Sequence, residues 1–199
     1  MSEPMKRLCV FCGSSPGNSA AFTTVARELG ETIAARGIEL IYGGSHVGLM
    51  GVVADAALGR GGKVIGVLPR FMADKELAHP KLSHLHVVDT MHERKRIMAE
   101  MAEGFVALPG GFGTCEEIFE AITWSQLHLH HRPCALLNVA GYYDPLLAFL
   151  DGSVAAGFVR PDLRDSLIVA GGVAELFAGF ANFRPAQSEK WIPQKLKTQ

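Results

Sequence analysis

Short, continuously apolar segments alternate with longer amphipathic ones along most of the chain, and this alternation constrains the fold more than any other feature. The apolar segments at residues 8–12, 39–42, 64–68 and 105–108 have the length of β-strands. Strands that are apolar on both faces are typical of a parallel sheet with helices packed on each side. We therefore predict an α/β fold, a single Rossmann-like doubly wound parallel sheet with helices on both faces.

The rest of the chain fits one domain of this kind. Its 199 residues match the usual length of a single domain. We assign residues 1–183 to one α/β domain and residues 184–199 to a polar C-terminal tail. The segment 69–83 is predicted to be irregular. Further strands are expected at 85–88, 135–137 and 167–169, and helices at about 20–36, 49–58, from near 90, 114–129 and around 145–154.

Glycine is enriched, with 22 residues in the chain, and many of these glycines lie in clusters that directly follow predicted strands. The clusters occupy residues 13–15, 43–48 and 110–113. Parallel strands end at the same edge of a sheet, so we expect the three loops to meet there. Backbone N–H groups in such loops and at helix starts bind phosphate. Gly13, Ser14, Gly43 and Gly44 are therefore predicted to help bind a phosphorylated ligand.

The charge and cysteine content exclude several classes of protein. Lys and Arg total 19 against 20 acidic residues, so no overall positive field attracts a nucleic acid or an anionic membrane. Four scattered cysteines do not form a disulfide scaffold and fit a reducing compartment. The apolar segment 167–183 contains a glycine pair and Glu175, which disfavours a membrane span. We expect a cytoplasmic protein that binds neither nucleic acid nor membrane.

Two familiar phosphate-binding motifs do not fit the glycine loops. A P-loop needs a lysine after its last glycine, but Leu49 follows Gly48. A dinucleotide fingerprint that begins at Gly111 would need a third glycine where the chain has Glu116. A carboxylate at that position repels a pyrophosphate, so the sequence argues against both a nucleoside triphosphate and NAD.

Charged residues near two predicted helix starts form the candidate site. Glu116 and Glu117 follow the third glycine loop, where Thr114 and Glu117 have the spacing of a capping box. Arg94, Lys95 and Arg96 lie in the first turn of another helix, where cations oppose the helix dipole. A bound anion would remove that conflict for Arg94 and Lys95, whereas Arg96 is interpreted as a surface residue. Capping and a site role both remain open for Glu117.

These motifs together resemble the LONELY GUY (LOG) family of cytokinin-activating phosphoribohydrolases. The segment Pro109-Gly-Gly-Phe-Gly-Thr-Cys-Glu-Glu117, preceded by Met91-His-Glu-Arg-Lys95, is similar to the signature of that family. The flanking segments 9–15, 42–51, 122–127 and 136–139 agree as well. The similarity extends from about residue 8 to residue 151.

The resemblance implies a reaction and a set of site residues. LOG enzymes hydrolyse the N-glycosidic bond of N6-substituted adenosine 5′-monophosphates and release a free cytokinin base and ribose 5-phosphate. The essential arginine and glutamate of the family correspond to Arg94 and Glu117. The resemblance also implies no metal or organic cofactor and a homodimer with its site near the subunit interface. The other matching positions, which contact the ligand, are Glu76, Lys95, Gly110, Gly111, Phe112, Gly113, Thr114, Glu116 and Thr123.

The expected chemistry suits these residue types. Cleavage of a glycosidic bond builds positive charge on the sugar, which a carboxylate stabilises, and a carboxylate also activates water. We assign this role to Glu117, while Arg94 holds the phosphate or ribose hydroxyls and orients Glu117, and Lys95 assists at the phosphate. Two alternatives remain: a broader nucleosidase for AMP or other nucleoside monophosphates, and a non-catalytic carrier of a nucleotide or of molybdenum cofactor. No metal site is expected, because the histidines lack a second ligand pair.

Overall fold

A computed structural model describes residues 5–75 and 77–186 of the chain. Its sheet has seven strands in the order β4-β3-β2-β1-β5-β6-β7, and every neighbouring pair is parallel. The predicted α/β class with a parallel sheet is confirmed. The strands are β1 Arg7–Phe11, β2 Glu39–Tyr42, β3 Val64–Pro69, β4 His84–Val88, β5 Phe105–Ala107, β6 Cys134–Leu137 and β7 Ile168–Ala170.

Helices cover both faces of the sheet and create two apolar cores. On one face, Leu8 and Val10 of β1 pack with side chains such as Leu29. On the other face, Cys9 and Phe11 of the same strand belong to a second cluster of buried side chains. The helices are α1 Ala20–Ala35, α2 Gly48–Gly59, α3 Arg70–Ala73, α4 Met91–Met101, α5 Phe112–Gln126, α6 Asp144–Ala155, α7 Pro161–Ser166 and α8 Val173–Asn182.

The order of the strands determines where a ligand crevice opens. The chain proceeds outward from β1 through β2 and β3 to β4, then returns to the opposite edge of β1 with β5. Neighbouring strands whose connections leave in opposite directions form a topological switch point, and ligands of open α/β sheets bind beyond the carboxyl ends there. In this chain that position is the junction of β1 and β5, where two of the three glycine loops begin.

The beginning and end of α5 differ from the prediction. The helix starts at Phe112, with Gly111 as its N-cap, whereas the sequence suggested a start at Thr114. The buried Thr114 therefore lies inside the first turn, and the interpretation of Thr114 and Glu117 as a capping box is wrong. The helix ends at Gln126 because His128 adopts a left-handed conformation with φ of 58°.

The other differences among the described residues concern short helices. The segment predicted to be irregular contains the four-residue helix α3. The six-residue helix α7 was not predicted. No helix among residues 5–75 and 77–186 is long and apolar enough to cross a membrane. Most of the predicted tail, residues 187–199, lies outside the described residues.

Candidate active site

The three glycine loops meet at the carboxyl edge of the sheet, as predicted. The N–H of Gly13 donates to the carbonyl of Pro109 at 3.1 Å, which joins the loops after β1 and β5. The N–H of Leu49, in α2, donates to the carbonyl of Gly13 at 3.0 Å. Gly48 packs so closely on Ser14 that a Cβ atom there would collide with its backbone. Backbone therefore approaches backbone on both sides of the β1 loop.

A cavity of about 310 Å³ opens between the loops after β1 and β5, beside the start of α5, and neither Gly43 nor Gly44 lines it. The first N–H groups of a helix have no partner within the helix, and Gly111 at the N-cap has no side chain to supply one. The start of α5 thus offers backbone donors to an anion. The cavity is lined in part by Gly13, Ser14, Leu49, Gly110, Gly111 and Tyr142.

The side chain of Arg94 extends from the first turn of α4 to β3 and to the glycine pair that follows β2. Thr90 caps α4 by accepting the N–H of Glu93 at 3.1 Å, which sets the start of the helix. The Nε of Arg94 donates to the carbonyl of Val67 at 3.0 Å. A Cβ atom at Gly43 would lie 2.5 Å from Nη2 of Arg94, so a side chain at this position would have to displace the guanidinium.

Arg94 and Glu117 form a buried ion pair between α4 and α5. The Nη1 of Arg94 donates to Oε1 of Glu117, and the two side chains are only 9% and 10% exposed. Burial raises the pKa of the Glu117 carboxyl, while the positive charge and hydrogen bond of Arg94 act against that rise. The net result is a carboxyl group with a raised pKa that is still held next to a cation.

Lys95 lies beside this pair and contacts two further carboxylates of α5. Its Nζ donates to Glu116 and also to Glu120, the latter at 3.0 Å. Burial lowers the pKa of Lys95, but hydrogen bonds to the two glutamates outweigh this effect and raise it. The cations that oppose the α4 dipole are therefore offset by carboxylates of the neighbouring helix. Glu120 was not predicted as part of the cluster.

Arg96 points away from this cluster. It forms an exposed ion pair with Glu100, four residues along α4. Its interpretation as a surface residue is confirmed.

The remaining predicted residues lie in different surroundings. Thr123 is about 9 Å along α5 from Glu117, given a rise of 1.5 Å per residue, and its hydroxyl donates to the carbonyl of Phe119 at 2.7 Å. Within this chain it therefore lies apart from the Arg94–Glu117 pair. Phe112 is 98% exposed at the start of α5. Gly113 lies in the same turn, and Glu76 lies outside the described residues.

Two tyrosines that the sequence analysis missed contact the glycine loop. The hydroxyl of Tyr142 donates to the carbonyl of Gly110, and that of Tyr143 donates to the carbonyl of Leu108, each at 2.6 Å. Hydrogen bonds to backbone carbonyls leave no periodic pattern in a sequence. The only available signal was the position of these tyrosines shortly after the end of a predicted strand.

Over the described ranges, no group of three or more His, Cys, Asp or Glu side chains is arranged to hold a metal ion.

Curated relatives resemble the chain over most of its length. A cytokinin riboside 5′-monophosphate phosphoribohydrolase from Rhodococcoides fascians is 49% identical over 82% of this chain and 83% of its own length. A protein with the same description from Arabidopsis thaliana is 43% identical over 98% of this chain and 94% of its own. A probable enzyme of this description from Oryza sativa subsp. japonica is 48% identical over 90% of this chain and 73% of its own length.

Solved structures share the fold at lower identity. A molybdenum cofactor carrier protein from Chlamydomonas reinhardtii is 25% identical, with a TM-score of 0.65 over 88% of this chain and 95% of that one. A molybdenum cofactor binding protein from Rippkaea orientalis is 21% identical, with a TM-score of 0.67 over 89% of this chain and 96% of that one. At this level of identity the likeness concerns the fold alone.

A family model described as "possible lysine decarboxylase" matches residues 50–180, which include both members of the buried Arg94–Glu117 pair. Relatives that share 43–49% of their residues with this chain carry the name of the phosphoribohydrolases. The chain therefore belongs to the LOG family of cytokinin riboside 5′-monophosphate phosphoribohydrolases.

Proposed function

We propose that this chain hydrolyses the N-glycosidic bond of N6-modified adenosine 5′-monophosphates. The products are the free base and ribose 5-phosphate. The observation that carries the proposal is the buried Arg94–Glu117 pair at the glycine loop, found in a chain that is 49% identical to a bacterial enzyme named for this reaction. A carboxylate buried beside a cation suits a reaction that builds positive charge on a sugar.

The 5′-phosphate binds at the start of α5 and the loops around it. Donors from the backbone of Gly110 to Thr114 face the phosphate, and Gly13–Ser14 line the same cavity. Gly43–Gly44 support the site from outside this cavity, through their packing against Arg94 and β3. Glu117 is five residues beyond Phe112, which corresponds to about 7.5 Å along the helix. That separation suits a ribose whose phosphate lies at the helix start and whose C1′ atom lies near the carboxylate.

Bond cleavage follows from the environment of Glu117. As the bond from C1′ to the base lengthens, the ribose becomes positively charged and the ionised Glu117 stabilises it. A water molecule attacks C1′, and its oxygen becomes the new hydroxyl of ribose 5-phosphate. One proton of that water remains on the new hydroxyl and the other ends on the departing base. Glu117 takes up this second proton and passes it to the departing base, which restores the ionised carboxylate, while Arg94 holds that carboxylate in place.

Lys95 contributes charge beside the reacting centre. Its two glutamate partners hold it between α4 and α5, where it lowers the pKa of Glu117. Glu116 has the opposite effect on that pKa. If Lys95 exchanged one of its glutamate contacts for a phosphate oxygen, it would assist in binding the nucleotide. Glu76 and Thr123 are the remaining ligand contacts that we propose.

The second candidate is a binding protein without catalytic activity. It is favoured by the likeness to a solved molybdenum cofactor carrier at 25% identity. Relatives named as hydrolases are much more similar, at 43–49% identity. A pure carrier has no need for a buried carboxylate with a raised pKa next to its anion site, so the hydrolase is the better supported of the two.

The proposal includes a homodimer with the site near the subunit interface, and a cytoplasmic location. Phe112, almost fully exposed at the start of α5, and the exposed Met91 at the start of α4 support a second chain that covers this edge. All four cysteines are free thiols, which supports a reducing compartment.

Product analysis tests the proposed reaction. Purified protein is incubated with isopentenyladenosine 5′-monophosphate and with AMP in parallel, and the products are separated by chromatography. We expect free base and ribose 5-phosphate, with the modified nucleotide consumed faster. Equal rates for both nucleotides would indicate a broader nucleosidase. No base from either nucleotide, together with a pterin that copurifies, would favour the carrier.

A further inference from the structure

Two neighbouring tyrosines hold the glycine loop by its carbonyl groups. The hydroxyl of Tyr142 donates to Gly110 and that of Tyr143 donates to Leu108, both at 2.6 Å. Tyr143 is buried, whereas Tyr142 is 41% exposed and lines the cavity beside the start of α5. Side chains from the segment after β6 thus determine the direction of two carbonyls in the loop after β5.

The loop needs this external support because of its composition. Gly110 and Gly111 have no side chains, and glycine loses more conformational freedom on folding than any other residue. Pro109 has no N–H to donate. A planar trans peptide points the carbonyl of one residue and the N–H of the next in opposite directions. By holding the carbonyl of Gly110, Tyr142 therefore also sets the direction of the N–H of Gly111, the N-cap of α5.

The ring of Tyr142 is itself held in place. It contacts Phe22 edge to face at 5.6 Å between ring centroids, and it contacts Tyr143 at 5.0 Å. The backbone of the segment is tied by Asn138, whose Oδ1 accepts the N–H of Tyr143 at 2.7 Å and whose amide donates to Asp144 at 2.8 Å. All of these contacts join groups of the protein itself, so none of them needs a bound nucleotide in order to form.

We infer that Tyr142 is a positioning residue for the 5′-phosphate of the substrate, acting through the Gly110–Gly111 peptide. The inference rests on the proposed function and adds a residue to the machinery of the same site. A loop that is rigid before binding loses less entropy when the ligand binds, so its contribution is to affinity. Because Tyr142 acts on the phosphate loop and not on Glu117, it affects phosphate binding and leaves bond cleavage unchanged.

Replacement of Tyr142 by Phe removes only the hydroxyl and keeps the half-exposed ring. We expect the Kd for ribose 5-phosphate, measured by titration calorimetry, to rise about 5-fold, which corresponds to the loss of one hydrogen bond. The KM for isopentenyladenosine 5′-monophosphate rises by the same factor, while kcat and the Kd for adenine stay within about 2-fold. The matched control is Tyr42→Phe, since the buried hydroxyl of Tyr42 has no hydrogen-bond partner in the described part of the chain. It should leave every one of these values unchanged.

The outcomes distinguish this inference from the proposed function. An unchanged Kd for ribose 5-phosphate in Tyr142→Phe overturns the inference and leaves the reaction standing. A large fall in kcat, or weaker binding of adenine, also overturns it, because Tyr142 would then act on the chemistry or on the base. Failure of the unaltered protein to bind ribose 5-phosphate at all contradicts the phosphate site of the proposed function.

Discussion

At the scale of single residues, the proposed reaction depends on a carboxyl group whose burial disfavours its ionised form. Glu117 is almost fully buried, and burial raises its pKa even though Arg94 is hydrogen-bonded to it. A group that served only to stabilise the fold would gain from the opposite arrangement, in which the folded protein lowers the pKa. Residues that reduce stability in this way are characteristic of functional sites.

Replacement of Glu117 by Gln should abolish turnover and preserve binding. The amide still accepts a hydrogen bond from Arg94 but neither stabilises a cation on the ribose nor takes up a proton. We expect kcat to fall by about 10²-fold or more, with the Kd for ribose 5-phosphate changed by less than about 3-fold. Glu100→Gln, an exposed glutamate of α4 paired with Arg96, is the matched control. Full activity of Glu117→Gln would remove the carboxylate from the mechanism.

The raised pKa of Glu117 also predicts how stability depends on pH. In the folded protein this carboxyl holds its proton more tightly than in the unfolded chain, so its contribution to stability is present at low pH and lost as pH rises through the raised pKa. The Gln variant does not titrate there. Urea unfolding of both proteins should therefore show the variant gaining in relative stability as pH rises from about 4 to 7. A stability of the variant relative to the unaltered protein that stays constant or falls over this pH range would contradict the raised pKa.

At the scale of secondary structure, the bounds of an element can be predicted best where the local sequence signal agrees with how the element packs in the fold. The bounds of β2 match the prediction because an apolar strand ends there at a glycine pair. The start of α5 was missed because Thr114, a good capping residue, is instead buried beneath Gly110. The pairing of Arg94 with Glu117 joins two helices that are distant in sequence. The unusual cations at the start of α4 predicted a bound anion, whereas in the structure their partners are glutamates of α5.

The packing around the glycine loop predicts opposite effects on stability for substitutions at Gly110 and Gly113. A Cβ atom at Gly110 would collide with Thr114 and lie 2.8 Å from the backbone N of Gly13, whereas one at Gly113 meets nothing within 4 Å. We expect Gly110→Ala to reduce the free energy of unfolding by about 1–3 kcal/mol. Gly113→Ala, within a helix, should increase it by up to about 1 kcal/mol. Chemical denaturation measures both, and equal effects would show that the loop is not packed as described.

At the scale of the whole molecule, the open edge beside the site has a consequence for assembly. Phe112 and Met91 are exposed at the starts of the two helices that carry Glu117 and Arg94. If a second chain covers them, light scattering after size exclusion should give twice the chain mass of 21.4 kDa. Phe112→Asp should then shift the protein toward the monomer and raise the KM as well. Phe158→Asp, which alters an exposed aromatic residue after α6, is the control. A monomeric parent protein with full activity would contradict the dimer.

In the proposed reaction, Glu117 enables this chain to break a glycosidic bond in a nucleoside 5′-monophosphate. A single-turnover experiment tests it directly, with protein in excess over isopentenyladenosine 5′-monophosphate and chromatographic detection of free base and ribose 5-phosphate. We expect the unaltered protein to convert the nucleotide to equal amounts of both products. The Glu117→Gln protein should bind the nucleotide and release neither product at a comparable rate. Release of base at the same rate by both proteins would contradict the account.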